Sequence, residues 1–367
     1  MSEKVKNTVT VCAAAAFLLV FFVWSLIKPA DDISESERRK LAAFPKISVD
    51  TVLSGKFTED FEDYATDQFP MRDGFRELRA LSSFYLFRQK DKSGIYLGDD
   101  GYISKTEYPV DTGSLDNAAK KLRKLYDKYL KDSNTNVYFS IIPDKNYFMA
   151  DKNGNLSMDY SEFVNYLKSK TEYMHYIDIF DRLELSDYYK TDTHWRQEKI
   201  TDVAQKIAEE MGADVSADYT ENLLDKPFYG VYYGQAALSL PGEKLYYLNN
   251  ATLDACTVYD YETDKQGTVY DMEKAYGKDP YEMFLSGSKS LLTVKNPNAA
   301  TDKRLIIFRD SFGSSIAPLL VQGYSEVTLA DIRYISPETL GRLTDFKDSD
   351  VLFLYSTLVL NNSITFK

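Results

Sequence analysis

The chain has 367 residues, 44% hydrophobic and 27% charged, enough to bury a sizeable core as one large domain with additions or as two domains. Its 44 basic and 56 acidic residues give a net charge of −12 with no long basic run. Such a chain repels a phosphate backbone, so no nucleic-acid partner is expected. Of the two cysteines, Cys12 lies in the apolar N-terminus and Cys256 stands alone in the rest, which leaves no disulfide to form within the remaining chain.

Residues 1–28 read as a short tail and a transmembrane anchor. Thr8 to Ile27 carries no charge over twenty residues, and at about 1.5 Å per residue it spans a hydrocarbon core of about 30 Å. A cleaved signal peptide is the competing reading, but its apolar region would be shorter, and no small-x-small site follows in "SLIKPADD". Lys4 and Lys6 precede the span, whereas Lys28, Arg38, Arg39 and Lys40 follow it, so the positive-inside count does not orient it. A short tail with the bulk of the chain after the span fits a single-pass protein whose main domain lies outside the cell membrane.

Residues 29–94 read as a charged tether and a helical lead-in. Phe57, Phe61 and Tyr64 recur at helical spacing, as do Phe75, Leu78, Leu81 and Tyr85 after the break at Phe69-Pro70. The stretch "GIYLGDDGYIS" predicts a tight hairpin with Asp-Asp-Gly at its turn. From residue 95 to the end, strands and helices alternate. Leu115, Ala119, Leu122, Tyr126 and Tyr129 line one helical face. "VYFSII" (137–142) predicts a buried strand, a helix follows near 160–170, "YIDIF" (176–180) predicts a strand, and a helix runs from about 196 to 211. "LIIF" (305–308), "EVTLA" (326–330) and "VLFLY" (351–355) predict buried strands separated by helices near 314–322 and 337–343. This pattern predicts an α/β layer on a mostly parallel sheet, interrupted at about 216–300 by a Tyr-, Gly- and Thr-rich, β-rich insertion.

Two stretches carry candidate chemistry. In "RLIIFRDSFGSS" (304–315) a strand ends, Asp310 and Ser311 follow, and Gly313 lets the chain turn into a helix. That placement puts the Ser311 hydroxyl at the carboxyl edge of a parallel sheet, where such sheets bind ligands. The backbone N–H groups of Ser311 and Phe312 would then stand ready for an oxyanion. An ordinary helix N-cap at Asp310 or Ser311 explains the same residues. The second stretch is "YYKTDTHWRQ" (188–197). Histidines number only two, and His194 sits two places after Asp192. A serine hydroxyl needs a base oriented by a third group. In an extended segment the two side chains share one side, whereas a helix would set them about 200° apart, so the motif is expected to be extended or a loop just before the helix that starts near Arg196. Helix capping by Asp192 or Thr193 is the alternative. His175 in "EYMHYID" has no carboxylate at that spacing and reads as structural. Two histidines nineteen places apart do not make a zinc site, and neither a P-loop nor a G-x-G-x-x-G fingerprint is present, so no metal and no cofactor are expected. Tyrosines number 29, many in polar contexts such as "GVYYGQ", and suit stacking on sugar rings as well as ordinary surface and core packing.

"DTHW" with a later "DSFG" at a strand end resembles the DHHW proteins and the alginate O-acetyltransferase proteins, whose catalytic domain is SGNH-hydrolase-like. "SERRKLAAFPKIS", "DYATDQFPMRDGFRELR", "SIIPDK" and "DPYEMFLSGSKSLLTVKN" resemble the family's blocks in the same order, so the likeness covers most of residues 35 to 360. Thr193 stands where the family name has its second histidine. The resemblance implies an SGNH-hydrolase-like three-layer catalytic domain over 95–367 with a triad of Ser311, His194 and Asp192. It suggests Arg333, Tyr355 and, more weakly, Lys145 as substrate-pocket residues. It further implies an O-acetyltransferase acting on a cell-surface or exported polysaccharide, supplied with acetyl groups by a multi-pass membrane acyltransferase. An acetyl esterase with the same triad and a non-catalytic polysaccharide-binding scaffold are the alternatives.

Overall fold

The computed structural model describes residues 2–34, 36–98 and 101–367. The chain forms two compact units, Met1–Lys92 with Tyr233–Ser239, and Ser93–Tyr232 with Leu240–Lys367. In the first unit, α1 (Glu3–Ile27) is long and apolar enough to cross a membrane and buries none of its residues. It is followed by α2 (Lys56–Asp67) and by α3 (Arg72–Leu81), whose helical path continues through a wider turn at Ser82–Leu86. The break at Phe69-Pro70 separates α2 from α3, as the proline requires.

The second unit is an α/β layer structure. Short strands Ile95–Leu97 and Ile103–Lys105 pair antiparallel, while the predicted turn residues Asp99 and Asp100 lie outside the described residues. Helix α4 (Thr112–Leu125) precedes β1 (Asn136–Ile142), and α5 (Tyr160–Lys170) precedes β2 (His175–Tyr176). Helix α6 (Thr201–Glu210) is followed by β3 (Thr257–Asp260), β4 (Lys265–Gly267) and β5 (Leu291–Lys295). Then come β6 (Arg304–Arg309), α7 (Gly313–Leu320), β7 (Glu326–Ala330), α8 (Pro337–Leu343) and β8 (Ser349–Ser356). The eight strands run in the order β4-β3-β5-β7-β6-β8-β1-β2. The block β7-β6-β8-β1-β2 is parallel; β5, β3 and β4, contributed by the Tyr- and Thr-rich stretch, extend it antiparallel.

Strand periodicity explains the three layers. Along β6, Leu305 and Ile307 enter one core, together with Val203 and Ile207 of α6 and Ile316 and Leu320 of α7. Ile306 and Phe308 enter the other, with Leu122 of α4, Phe163 of α5 and Leu340 of α8. Both faces of β6 and β8 are covered, so these strands read as unbroken apolar runs rather than as alternation. The segment 176–180 departs from its predicted strand. Pairing with β1 stops at Tyr176, and a 3₁₀ turn begins at Phe180, where Asp178 accepts from the Phe180 N–H. The predicted helix from about 196 divides into a 3₁₀ turn at Gln197–Lys199 and α6.

Candidate active site

Ser311 occupies the turn after β6, at the carboxyl edge of the parallel block. Asp310, fully buried, fixes that turn. One carboxylate oxygen accepts from the N–H and hydroxyl of Ser356 at the end of β8, at 2.8 and 2.7 Å, and the other accepts from the Phe312 N–H at 3.1 Å. Asp310 thus joins two strand ends instead of capping α7, which has no side-chain cap. The Phe312 N–H expected for an oxyanion is engaged by Asp310; the Phe312 ring instead packs against His194 and Trp195.

The candidate base arrives from a separate loop. An antiparallel bridge between Tyr188 and Trp195 closes the segment, and Tyr189 N–H bonds to the His194 carbonyl at 3.1 Å. At its tip, Asp192 Oδ1 accepts both from the His194 backbone N–H at 3.0 Å and from the ring Nδ1 at 2.5 Å. The pair therefore meets through a local turn rather than through an extended strand, and neither Asp192 nor Thr193 caps a helix. Because a carboxylate only accepts, Nδ1 carries the ring proton and Nε2 of the neutral ring is the acceptor. Ser311 Oγ lies 2.7 Å from that Nε2. Burial is graded: the Asp192 side chain is 2% exposed and that of His194 12%, so the imidazole is held from behind and open at the front.

Several supports carry no signal in the local sequence. Tyr281 stacks flat under the His194 ring and bonds through its hydroxyl to Ser315 Oγ at 2.7 Å. Trp195 Nε1 donates to the same Oγ at 2.8 Å, and Gln197 Nε2 donates to the Ser315 carbonyl at 2.8 Å. One residue of α7 thus anchors the segment that carries His194. Glu243 accepts from the Lys190 N–H at 2.6 Å, the Thr191 N–H at 2.7 Å and the Thr191 hydroxyl at 2.6 Å. The segment at Gly230 closes over Asp192: the Val231 N–H donates to Asp192 Oδ2 at 2.8 Å, and the Gly230 N–H donates to Thr191 Oγ1 at 3.0 Å. A Cβ at Gly230 would sit 2.3 Å from the Asp192 Cα, Cβ and N, so only glycine admits this approach.

The three remaining candidates are each held by other partners. Lys145 is 2% exposed and donates to the carbonyls of Tyr189 and Lys190, both at 2.9 Å, so it braces the loop instead of reaching into a pocket. Burial pushes its amine down to about 7, against the opposing pull of Asp192 and Glu243. Arg333 is forked onto Asp331 at 2.9 and 2.6 Å; burial works against its charge, but the bonds to Asp331 outweigh that and raise its pKa. Tyr355 projects into the core layer shared with Phe366, on the opposite side of the sheet from Phe312 and Trp195, and burial raises its hydroxyl far above the usual range. His175, read as structural, is exposed and pairs with Glu210 at 3.1 Å.

No protein-family model matches the chain, and no curated protein sequence does. Solved structures do match. One is a DHHW family protein from Eubacterium siraeum, 21% identical, with a TM-score of 0.61 over 74% of this chain and 93% of that one. Another is PatB1 from Bacillus cereus, solved with a sulfonyl adduct, 21% identical, with a TM-score of 0.60 over 76% of this chain and 99% of that one. A second structure of PatB1 is 22% identical, with a TM-score of 0.59 over 72% of this chain and 96% of that one. The resemblance noted in "DTHW" and "DSFG" therefore extends to the backbone: the chain has the fold of a DHHW family protein.

Proposed function

We propose that the chain is a membrane-anchored, extracytoplasmic O-acetyltransferase that acylates hydroxyls of a cell-surface or exported polysaccharide. In this reading residues 1–28 are the anchor, 29–94 the tether and lead-in, and 95–367 the catalytic domain. One observation carries the proposal: the His194 ring bridges Asp192 through Nδ1 and Ser311 through Nε2. That geometry is what a serine nucleophile requires of its base and orienting group.

In the first half-reaction Ser311 Oγ attacks the donor's acyl carbonyl while its proton passes to His194 Nε2. Asp192 holds the resulting imidazolium through Nδ1–H. The oxyanion takes the Ser311 N–H, since that of Phe312 is committed to Asp310. Collapse breaks the bond to the leaving group, which receives the proton from Nε2. A sugar hydroxyl then attacks the acyl-serine and gives its proton to Nε2; collapse breaks the acyl–Oγ bond, the sugar ester leaves, and Nε2 passes that proton to Ser311 Oγ. The partner in this scheme is a multi-pass membrane acyltransferase that presents the acetyl group.

The test uses the full chain in detergent micelles with p-nitrophenyl acetate, followed by peptide mass spectrometry and by acetylation of added oligosaccharides. An acetyl adduct on Ser311 that disappears in Ser311→Ala, and forms far more slowly in His194→Ala, is the expected result. Ester cleavage without transfer to any glycan would turn the reading into a carbohydrate esterase. A folded protein with no adduct and no turnover would leave a polysaccharide-binding scaffold.

A further inference from the structure

The lead-in helix has two unlike sides. Along one, Arg72 and Arg76 pair with Glu37 at 2.5 and 3.1 Å, and Arg76 also donates to the Gly234 carbonyl at 2.7 Å. Along the other, Met71, Phe75, Leu78, Leu81, Tyr85 and Leu86 follow helical spacing and stay open, with Leu78 59% and Leu86 71% exposed. A run of exposed apolar side chains along one helix side, opposite a charged side, marks an interaction surface.

Its position within the unit identifies what covers it. Phe69 and Phe75 each pack on Phe21 of α1, with ring centroids 5.5 Å apart. Phe21 lies six residues before the end of α1 at Ile27, about 9 Å inside it at 1.5 Å per residue. If α1 spans a bilayer, the groups that touch Phe21 lie at the depth where an interfacial helix seats its apolar face, about 5–10 Å into the headgroup and acyl boundary. The ion-paired side then faces the water.

We propose that Met71–Leu86 is an interfacial membrane helix, lying in the leaflet that α1 reaches at Ile27 and contacting lipid through Leu78 and Leu86. This rests on the reading of α1 as a retained anchor. The occupant is lipid rather than a protein groove because the stripe is continuous, through Phe69 and Phe75, with the apolar surface of the span itself.

The test places an environment-sensitive fluorophore on single cysteines of the full chain, in a Cys12→Ser, Cys256→Ala background, reconstituted in nanodiscs of phosphatidylcholine and phosphatidylglycerol. Doxyl-labelled phosphatidylcholine serves as quencher. Probes sit at Leu78→Cys and Leu86→Cys, with Val20→Cys marking the span and the exposed Lys120→Cys setting the aqueous baseline. Quenching at Leu78 and Leu86 comparable to that at Val20, and well above Lys120, is the expected result. Quenching at Val20 with baseline values at Leu78 and Leu86 would overturn the interfacial helix while leaving the anchor intact, and would assign the stripe to a protein partner. Baseline values at Val20 as well would remove the anchor and the interfacial helix together.

Discussion

The His194 imidazole lies on the Tyr281 phenol ring with centroids 4.0 Å apart and planes 11° from parallel. The tyrosine hydroxyl is tied to Ser315, so the platform beneath the base is itself fixed to α7. Tyr281→Ala should remove both the platform and the tie and lower kcat for an activated ester by roughly a hundredfold with KM little changed, because a small tilt of the ring misaligns Nε2 with Ser311. Tyr281→Phe keeps the ring and should lose far less. Steady-state kinetics of the two variants check the ranking, and equal losses would remove the platform role.

Glu243 and Lys145 hold the same few residues from opposite sides, the carboxylate taking N–H groups and the amine giving to carbonyls. Glu243→Gln places an amide donor against one of those N–H groups. It should cost about 2 kcal/mol of stability and reduce kcat more than it raises KM. Denaturant unfolding together with ester kinetics reads both effects.

Gly230→Ala should be among the most damaging single methyl additions in the chain. The new Cβ overlaps the Asp192 backbone, and relieving it moves the carboxylate that orients His194. A loss of about 3 kcal/mol with near-complete loss of turnover is expected. Gly267→Ala is the control: nothing lies within 4 Å of its Cβ position, and the change should stay within about 0.5 kcal/mol.

Glu107 gives a pH signature independent of the site. Burial, joined by the nearby negative charge of Asp144, pushes its carboxyl up to about 7, and the Lys105 amine at 3.4 Å offsets this only in part. Between its unfolded value of about 4.5 and 7 the native state holds the proton that the unfolded chain has lost, so this group lowers stability as pH rises through that window. Glu107→Gln should therefore stabilise the protein at pH 8, by up to about 3 kcal/mol, and change little at pH 4. Unfolding curves at the two pH values test the sign; a larger gain at pH 4 would contradict it.

Much of this architecture was legible because its signals are local. The runs "LIIF", "EVTLA" and "VLFLY" lie within β6, β7 and β8, and the spacing of Val203, Ala204 and Ile207 marks the buried side of α6. "YIDIF" misled because an apolar run is ambiguous where the chain leaves the sheet edge: β2 has one neighbour only and ends after two residues. The antiparallel run of β5, β3 and β4 beside the parallel block was not readable from periodicity, which gives a strand's faces but not its direction.

The amino-acid sequence by itself determined which residue types were available for chemistry: one Asp-x-His in a chain with two histidines, and one serine after a strand that turns into a helix. It also determined the apolar span and the alternation of buried strands with helices, since both follow from patterns within a few residues. Only the tertiary structure decided that His194 meets Ser311 across 117 positions of sequence, that Tyr281 and Glu243 serve the loop, and that Gly230 must be glycine. It also decided that Phe312 gives its N–H to Asp310 and that Lys145 braces the backbone. The reason is geometric. Side-chain period fixes which face a residue takes within its own element, whereas the partner across a loop or a sheet edge is set by how the strands are ordered, and that order is written in no single segment.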